Sequence, residues 1–423
     1  MGAGSALTIP VEQLTNRQLW DYEMEVKRKL LEQAKKTQTG TTDRDWIIRE
    51  GVWGRAGTDV TDFTMRTAQI AAGDQHYAQD QADITVDALS SVLATGSTIE
   101  DNTFVAFWGL GDLSPEGGNL TGAADISPPV GSLIGVSFHR GGSRLSHWNT
   151  QDMYTQDTPM LVAEEPIIYE QNEKIDLKME FSEAAEDKFI IFRVFVCERH
   201  SEEFAPDKDM WAFVSKFQQN LNAAFPGTAF LPGGTKAFDE WPLEYLQVYR
   251  TTIKQQLIEM AILGKIATSQ DELVFREVKA GDQGGEVDWT DLNTDVGTAQ
   301  FADQQYWAQD TTSYTAGDLS NVLIAAETVP DSKAIAVFGF YDRSTSPNAT
   351  LLSCETGGGK KFLTEIEHCY LSPAVPQGFF LFPVFYRQNE KIDIKLSVKV
   401  AKDTFIGFHT MIVEKWGDIV SKD

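Results

Sequence analysis

From Thr15 to Lys36 the residues Leu19, Tyr22, Val26 and Leu30 recur at intervals of three and four, the stripe of an amphipathic helix, with Thr15 or Asn16 placed to cap its start. After Trp46 the period changes. Short β-branched and aromatic runs follow, separated by clusters of Gly, Pro, Asn and Asp, and they predict strands at 46–49, 62–67, 103–109, 132–139, 160–163, 165–170, 174–181 and 188–198. In one of them Ile175, Leu177, Met179 and Phe181 alternate with Asp176, Lys178 and Glu180, so this strand has one buried face and one wet face. From Pro206 to Lys265 the helical period returns. Met210, Phe213, Val214, Phe217 and Leu221 form one stripe, and Tyr245, Val248, Ile253, Leu257, Ile258 and Ile262 form the next, with a break at Pro226-Gly227 and Pro232-Gly233-Gly234. A second strand-rich region runs from Leu273 to the C-terminus.

The two strand-rich regions are copies. Tyr169-Glu-Gln-Asn-Glu-Lys-Ile-Asp-Leu-Lys178 returns as Tyr386-Arg-Gln-Asn-Glu-Lys-Ile-Asp-Ile-Lys395, with eight of ten positions identical. Upstream, Ala78-Gln79-Asp80 and Leu89 to Leu93 return 230 residues later, and the apolar run 104–109 matches 334–339 in the same frame. The separation then falls to 217 at Pro166 and Pro383, which assigns a longer loop to the first copy; surface loops tolerate such insertions because closure entropy grows slowly with length. Even Val26 to Gln33 resembles Ile253 to Met260. The expected fold is therefore mainly β: two tandem jelly-roll-like β-sandwiches, each preceded by an amphipathic helical segment. The expected divisions are a helical arm over 1–40, a first sandwich over 41–204, a helical linker over 205–269 and a second sandwich over 270–423.

Within the repeated stretch, Gln171-Asn172-Glu173 reads as a tight connection, since Asn tolerates positive φ and bonds its own backbone there. Cys197, Cys354 and Cys369 are odd in number and show no C-x-x-C spacing, so buried free thiols are expected. No window approaches the roughly 20 apolar residues of a membrane helix, and the first residues lack the basic start and apolar stretch of a secretory signal.

Candidate chemistry is sparse. His76, His139, His147, His200, His368 and His409 form no H-x-H or H-E-x-x-H pattern, so neither a metal nor another cofactor is expected. Gly357 to Lys361 lacks the spacing and the Ser or Thr of a phosphate loop, and reads as a loop tip. Glu165 is replaced by Phe382 in the second copy, and there is no G-x-S-x-G elbow, so no catalytic residue is nominated and the chain is not expected to be an enzyme. A net charge of −26, from 62 acidic and 36 basic residues, repels nucleic acid from the body of the protein. The basic exception is Lys27, Arg28, Lys29, Lys35 and Lys36, which could touch an anionic surface such as genome or lipid, or could be a solvated helix end.

Tandem use of one β unit, the leading helix and the order of strand runs from Trp46 to Lys415 resemble the double jelly-roll major capsid proteins of tailless icosahedral viruses. That resemblance implies a virion location, after assembly in the host cytoplasm, and a self-associating subunit: a trimer of pseudo-sixfold outline that meets other virion proteins and binds no small-molecule substrate. The apolar linker departs from that layout and equally suits a decoration, collar or spike-base protein of a tailed bacteriophage. On this reading Leu19, Tyr22, Val26, Leu30, Tyr245, Val248, Ile253 and Leu257 are the expected subunit interface, and the negative charge keeps free subunits apart until salt screens it. A receptor- or carbohydrate-binding sandwich is the alternative, with Trp108, Trp148, Trp289 and Trp307 available; of these, Trp108 is expected in the core, while Trp148 and Trp307 lie in more polar contexts and could be exposed.

Overall fold

The computed structural model describes residues 5–53, 90–91, 97–112, 133–155, 159–182, 190–199, 206–280, 308–309, 320–342, 349–357, 359–366, 368–369, 376–398 and 404–416. The chain forms two compact units, residues 1–199 and 200–423. No helix among the described residues is long and apolar enough to cross a membrane.

The first unit contains β1 (Ser5–Ala6), β2 (Thr8–Pro10), α1 (Asn16–Thr37), β3 (Trp46–Trp53), β4 (Ser90–Ser91), β5 (Ser97–Thr98), β6 (Thr103–Asp112), β7 (Leu133–Arg140), β8 (Ser143–Asn149), β9 (Met160–Tyr169), β10 (Lys174–Phe181) and β11 (Ile190–Arg199). One sheet runs β2-β9-β6-β11-β3. The other runs β1-β8-β7-β10-β4, with β5 also on β10. All pairings are antiparallel except that of β1 with β8.

The second unit contains α2 (Lys208–Ala224), β12 (Thr235–Ala237), α3 (Leu243–Leu263), β13 (Leu273–Ala280), β14 (Ala308–Gln309), β15 (Ser320–Thr328), β16 (Lys333–Asp342), β17 (Ala349–Thr356), β18 (Gly359–Glu365), β19 (Gln377–Tyr386), β20 (Lys391–Val398) and β21 (Thr404–Lys415). Its sheets run β12-β19-β16-β21-β13 and β15-β20-β17-β18, with β14 on β21. Strand for strand this is the order of the first unit. With β1, β2, β12 and β14 set aside and β4 and β5 taken as one broken strand, the described residues of each unit give eight strands in two interleaved sheets, ordered 1-8-3-6 and 2-7-4-5, which is jelly-roll topology.

Between the sheets of the first unit lies an aromatic core, with Phe107 of β6 against Phe138 of β7 at 5.6 Å and Phe138 against Phe192 of β11 at 6.2 Å. The outer face of the β6 sheet is covered as well, by α1, which packs on β6, β11 and β3. This explains two different sequence patterns. β6 and β16 lie in sheets covered on both faces, so they read as unbroken apolar runs, whereas β10 and β20 lie in sheets with one polar face and therefore alternate.

One expectation about the helices is corrected. The segment 205–269 is not a linker between sandwiches: α2 and α3 pack on each other and on β19, β16 and β21, inside the second unit. In the segment 1–40, α1 lies on its own sheet and β2 pairs with β9. Sequence reading also split 160–170 into two strands; it is one strand, β9, whose register shifts opposite Phe107 and Gly109. The strand β8 was missed because its polar residues alternate with few apolar ones. The expected strand 62–67 lies outside the described residues.

Candidate functional surfaces

Thr15 caps α1 as expected, in a capping box with Gln18. The residues expected to form a subunit interface are spent within the chain. Leu19, Val26 and Leu30 are buried, as are Tyr245, Ile253 and Leu257, while Tyr22 and Val248 are half-buried. Their apolar faces rest on the sheets of their own units, so they are not the exposed surface the sequence suggested. The exposed large apolar side chains among the described residues are instead Leu7, Leu243, Ile262, Leu263 and Trp416.

A tyrosine fastens α1 to its sheet, and another fastens α3. Tyr22 donates its hydroxyl to the Ala163 carbonyl at 2.6 Å, with the Trp108 carbonyl at 3.3 Å. Tyr249 donates to the Phe380 carbonyl at 2.5 Å, with the Phe338 carbonyl at 3.4 Å. Trp108 and Phe338 sit where the ladders skip a residue, between Phe107 and Gly109 and between Val337 and Gly339. Such a bulge leaves a carbonyl without a ladder partner, and the phenol supplies one. Burial pushes both phenols well above the usual tyrosine range. The bulge also accounts for glycine at both positions: a Cβ on Gly339 would lie 2.6 Å from the Gly378 carbonyl oxygen, and one on Gly109 would lie 3.1 Å from that of Leu161.

The basic set does not form one positive patch. Lys27 is 1% exposed, its ammonium 4.9 Å from the centre of the Phe195 ring. Arg28 is paired with Glu25 and Glu32, Lys29 lies 3.9 Å from Glu25, and Lys35 lies 2.6 Å from Asp43. Lys36 is exposed in the last turn, where a cation suits the helix dipole.

Sequence reading missed the charges that matter most to packing. Arg193 and Glu50 form a buried ion pair beneath α1, with Arg193 Nε donating to Glu50 Oε1 at 2.9 Å and the guanidinium 4.2 Å from the centre of the Trp108 ring. Beside it, Arg49 pairs with Glu198 at 3.2 Å, and Arg276 pairs with Glu414 at 2.5 Å in the second unit. The signal was present: the dipeptide Arg49-Glu50 recurs as Arg276-Glu277 at the spacing of the helix repeat.

The repeated Gln-Asn-Glu turn takes the positive φ expected of its Asn, but the Asn amides reach aspartates of another segment and not their own backbone. Asn172 and Asn389 both have φ of 64°, and their side-chain amides donate to Asp101 at 2.8 Å and to Asp331 at 2.7 Å. Glu173 and Glu390 accept from the backbone N–H of Glu170 and of Arg387, at 2.7 and 2.6 Å. A cation closes each turn from a different strand: Arg140 donates to the Ile168 carbonyl and pairs with Glu173, while Lys361 donates to the Phe385 carbonyl and pairs with Glu390. Lys361 thus belongs to a structural ion cluster at the end of a hairpin, next to Gly357, whose φ is 53°.

The exchange of Glu164-Glu165 for Leu381-Phe382 follows from α2, which has no counterpart in the described residues of the first unit. Trp211 of α2 meets Phe382 at 5.1 Å and Asp209 holds Arg387 through two hydrogen bonds, so Leu381 and Phe382 are buried while Glu164 and Glu165 are exposed.

The outer faces of the β7 and β17 sheets are polar. In the first unit Asp176 lies opposite His139, and Lys178 opposite Ser137; Ser137 Oγ lies 2.8 Å from His147 Nδ1. In the second unit Glu355 and Asp393 take the places of His139 and Asp176, and Lys395 joins them, at 2.7 Å from Glu355 and 3.8 Å from Asp393. Burial holds the Asp393 carboxyl above the usual range; the Lys395 charge opposes this and the Glu355 charge reinforces it. Elsewhere, His368 is buried, 2.8 Å from the Thr235 carbonyl, and His409 lies against Phe379 at 5.0 Å. His76 and His200 lie outside the described residues. No group of three or more His, Cys, Asp or Glu suited to a metal occurs among the described residues. Cys197, Cys354 and Cys369 are buried thiols outside any disulfide, and burial pushes the thiols of Cys197 and Cys354 up.

Of the tryptophans considered as a ligand platform, Trp108 is buried as expected. Trp148, whose polar context allowed exposure, is also fully buried, 4.3 Å from Phe138 in the core. Trp289 and Trp307 lie outside the described residues.

No protein-family model and no curated protein matches the chain. Among solved structures it is similar to the tandem CBM51 modules of the family 98 glycoside hydrolase from Streptococcus pneumoniae, at 7% identity and a TM-score of 0.17, over 87% of this chain and 100% of that one. It is similar to the STIV major capsid protein at 8% identity and a TM-score of 0.20, over 88% of this chain and 99% of that one. A structure described as the triple jelly roll fold and turret assembly of an archaeal virus matches at 4% identity and a TM-score of 0.16, over 78% of this chain and 57% of that one. These likenesses are at the level of layout. The chain is a tandem jelly-roll-like β-sandwich protein, which its own strand order establishes.

Proposed function

We propose that the chain is a virion structural protein, a self-assembling capsid subunit that presents two equivalent jelly rolls and does no catalysis. The observation that carries this reading is the duplication itself. The second unit repeats the first in strand order, in the bulge under each helix and in the tyrosine that fastens it. Two like modules in one chain give a subunit twice as many similar lateral faces as it has copies, which suits closed symmetric assembly. The helices stiffen each module from behind and leave its loops and sheet edges for contacts with neighbours. The net charge of −26 would hold free subunits apart at low ionic strength, and salt would relax that repulsion.

Electron microscopy of the purified chain tests this reading. Rings or trimers of pseudo-sixfold outline, or shells, are expected. Isolated single chains at all concentrations would overturn it. A role as a decoration, collar or receptor-binding sandwich is the second reading, since the described part of the fold serves that equally well. Reproducible glycan-array hits together with a monomeric state would favour it.

A further inference from the structure

The duplication supplies an internal control for reading individual side chains, and the largest chemical difference between equivalent positions lies on the polar face of the β7 sheet. His139 is 9% exposed, and neither of its ring nitrogens has a hydrogen-bond partner; nor does Oδ1 of Asp176, which lies directly opposite on β10. A buried imidazole without partners is costly even when neutral, and more so when charged. His147, on β8, lies over Gly135, where a Cβ would come within 2.6 Å of its ring, and its Nδ1 is engaged with Ser137. The positions equivalent to His139 and His147 in the second unit, set by strand register, are Glu355 and Leu363, and there Lys395 already joins Glu355 and Asp393. One module therefore carries two histidines on this face, and its twin carries a lysine bridging two carboxylates.

We infer that His139 and His147 make the first unit acid-responsive, so that mild acidification loosens the β7–β8 hairpin while the matching β17–β18 hairpin of the second unit stays closed. The charged groups facing His139 are Lys178 and Asp176 from β10 and Arg144 from β8; those facing His147 are Arg144 and Glu180. Burial is the largest influence on both rings and favours the neutral form. Arg144 acts in the same direction on both, and Lys178 does so on His139. Asp176 and Glu180 oppose them without reversing the direction. Each ring thus takes up a proton less readily in the folded state than in the unfolded one. The stability this protects is fully present above the ordinary histidine value of about 6.5 and is lost as pH falls below it. The loosening has a path into the core, because the His139 carbonyl accepts the buried Tyr169 hydroxyl at 3.0 Å. Over the same range acid does not weaken the second unit through Asp393, whose raised value gives acid the opposite effect.

Hydrogen exchange of the full chain at about pH 7.5 and about pH 5.5, corrected for intrinsic rates, tests this. Protection over Leu133–Asn149 is expected to fall by up to about tenfold for each of the two histidines, while Ala349–Glu365 changes little. Equal change in the two hairpins, or none in the first, would overturn the inference. The double variant His139→Gln, His147→Gln should abolish the difference, and a variant that keeps it would also overturn the inference. If that variant does not fold, the comparison of the two hairpins in the unaltered protein decides alone. The outcome is independent of whether the chain assembles into particles.

Discussion

Tyr249 stands to the second unit as Tyr22 stands to the first: each phenol reaches from the first half of its helix to the carbonyl freed by a bulge in the strand below. The match survives although the residues around it have diverged, with Trp108 and Ala163 in one unit and Phe338 and Phe380 in the other.

Removing either hydroxyl tests how much this fastening contributes. Tyr22→Phe and Tyr249→Phe each leave buried carbonyls without their donor, and each should cost about 1–3 kcal/mol of stability. Because the sites lie in separate units, the losses should be independent. Calorimetry should show two transitions, with each variant lowering only its own.

The pair Arg193–Glu50 predicts a sharper asymmetry. Arg193→Met takes the guanidinium away from the buried Glu50 carboxylate and should destabilise the first unit by about 3–5 kcal/mol. The double variant Arg193→Met, Glu50→Gln should recover much of that loss, because the buried carboxylate charge is removed together with its guanidinium. Denaturant titration of the three proteins measures the difference, and a double variant no better than the single one would contradict the burial of this pair.

The repeated turn predicts a backbone effect. At φ of 64°, Asn172→Ala and Asn389→Ala should each cost about 1–2 kcal/mol, whereas Asn→Gly at the same positions should cost less, since glycine enters this region without a Cβ penalty. Thermal melting separates the two substitutions.

Much of this was legible because the relevant physics is local and periodic. The stripe Leu19, Tyr22, Val26, Leu30 set α1, Thr15 set its start, and the alternation from Ile175 to Phe181 set β10. What each helix packs against was not legible, since an apolar stripe shows that a face is covered without showing by what. The same stripe therefore served equally well for a neighbouring subunit and for the chain's own sheet, which is where it lies. Trp148 was misplaced for a related reason: its neighbours are polar, but alternation in β8 turns it inward. Ion pairs such as Arg49–Glu198 join positions far apart in sequence, and only the recurrence of Arg-Glu hinted at them.

Asp393 gives a prediction whose sign depends on pH. Its folded-state carboxyl is raised, so the folded state holds the proton more tightly; stability is favoured below the ordinary carboxylate value and lost as pH rises through the raised one. Asp393→Asn should therefore leave stability unchanged at about pH 4 and raise it at about pH 7. Unfolding midpoints across that range check it.

The central claim is that this duplicated chain is a building block. Static light scattering of the purified protein, followed through serial dilution and from low to high salt, tests it most directly. A homo-oligomer that survives dilution, and whose formation salt promotes, is the predicted result. A single species of 47.1 kDa under every condition would contradict it.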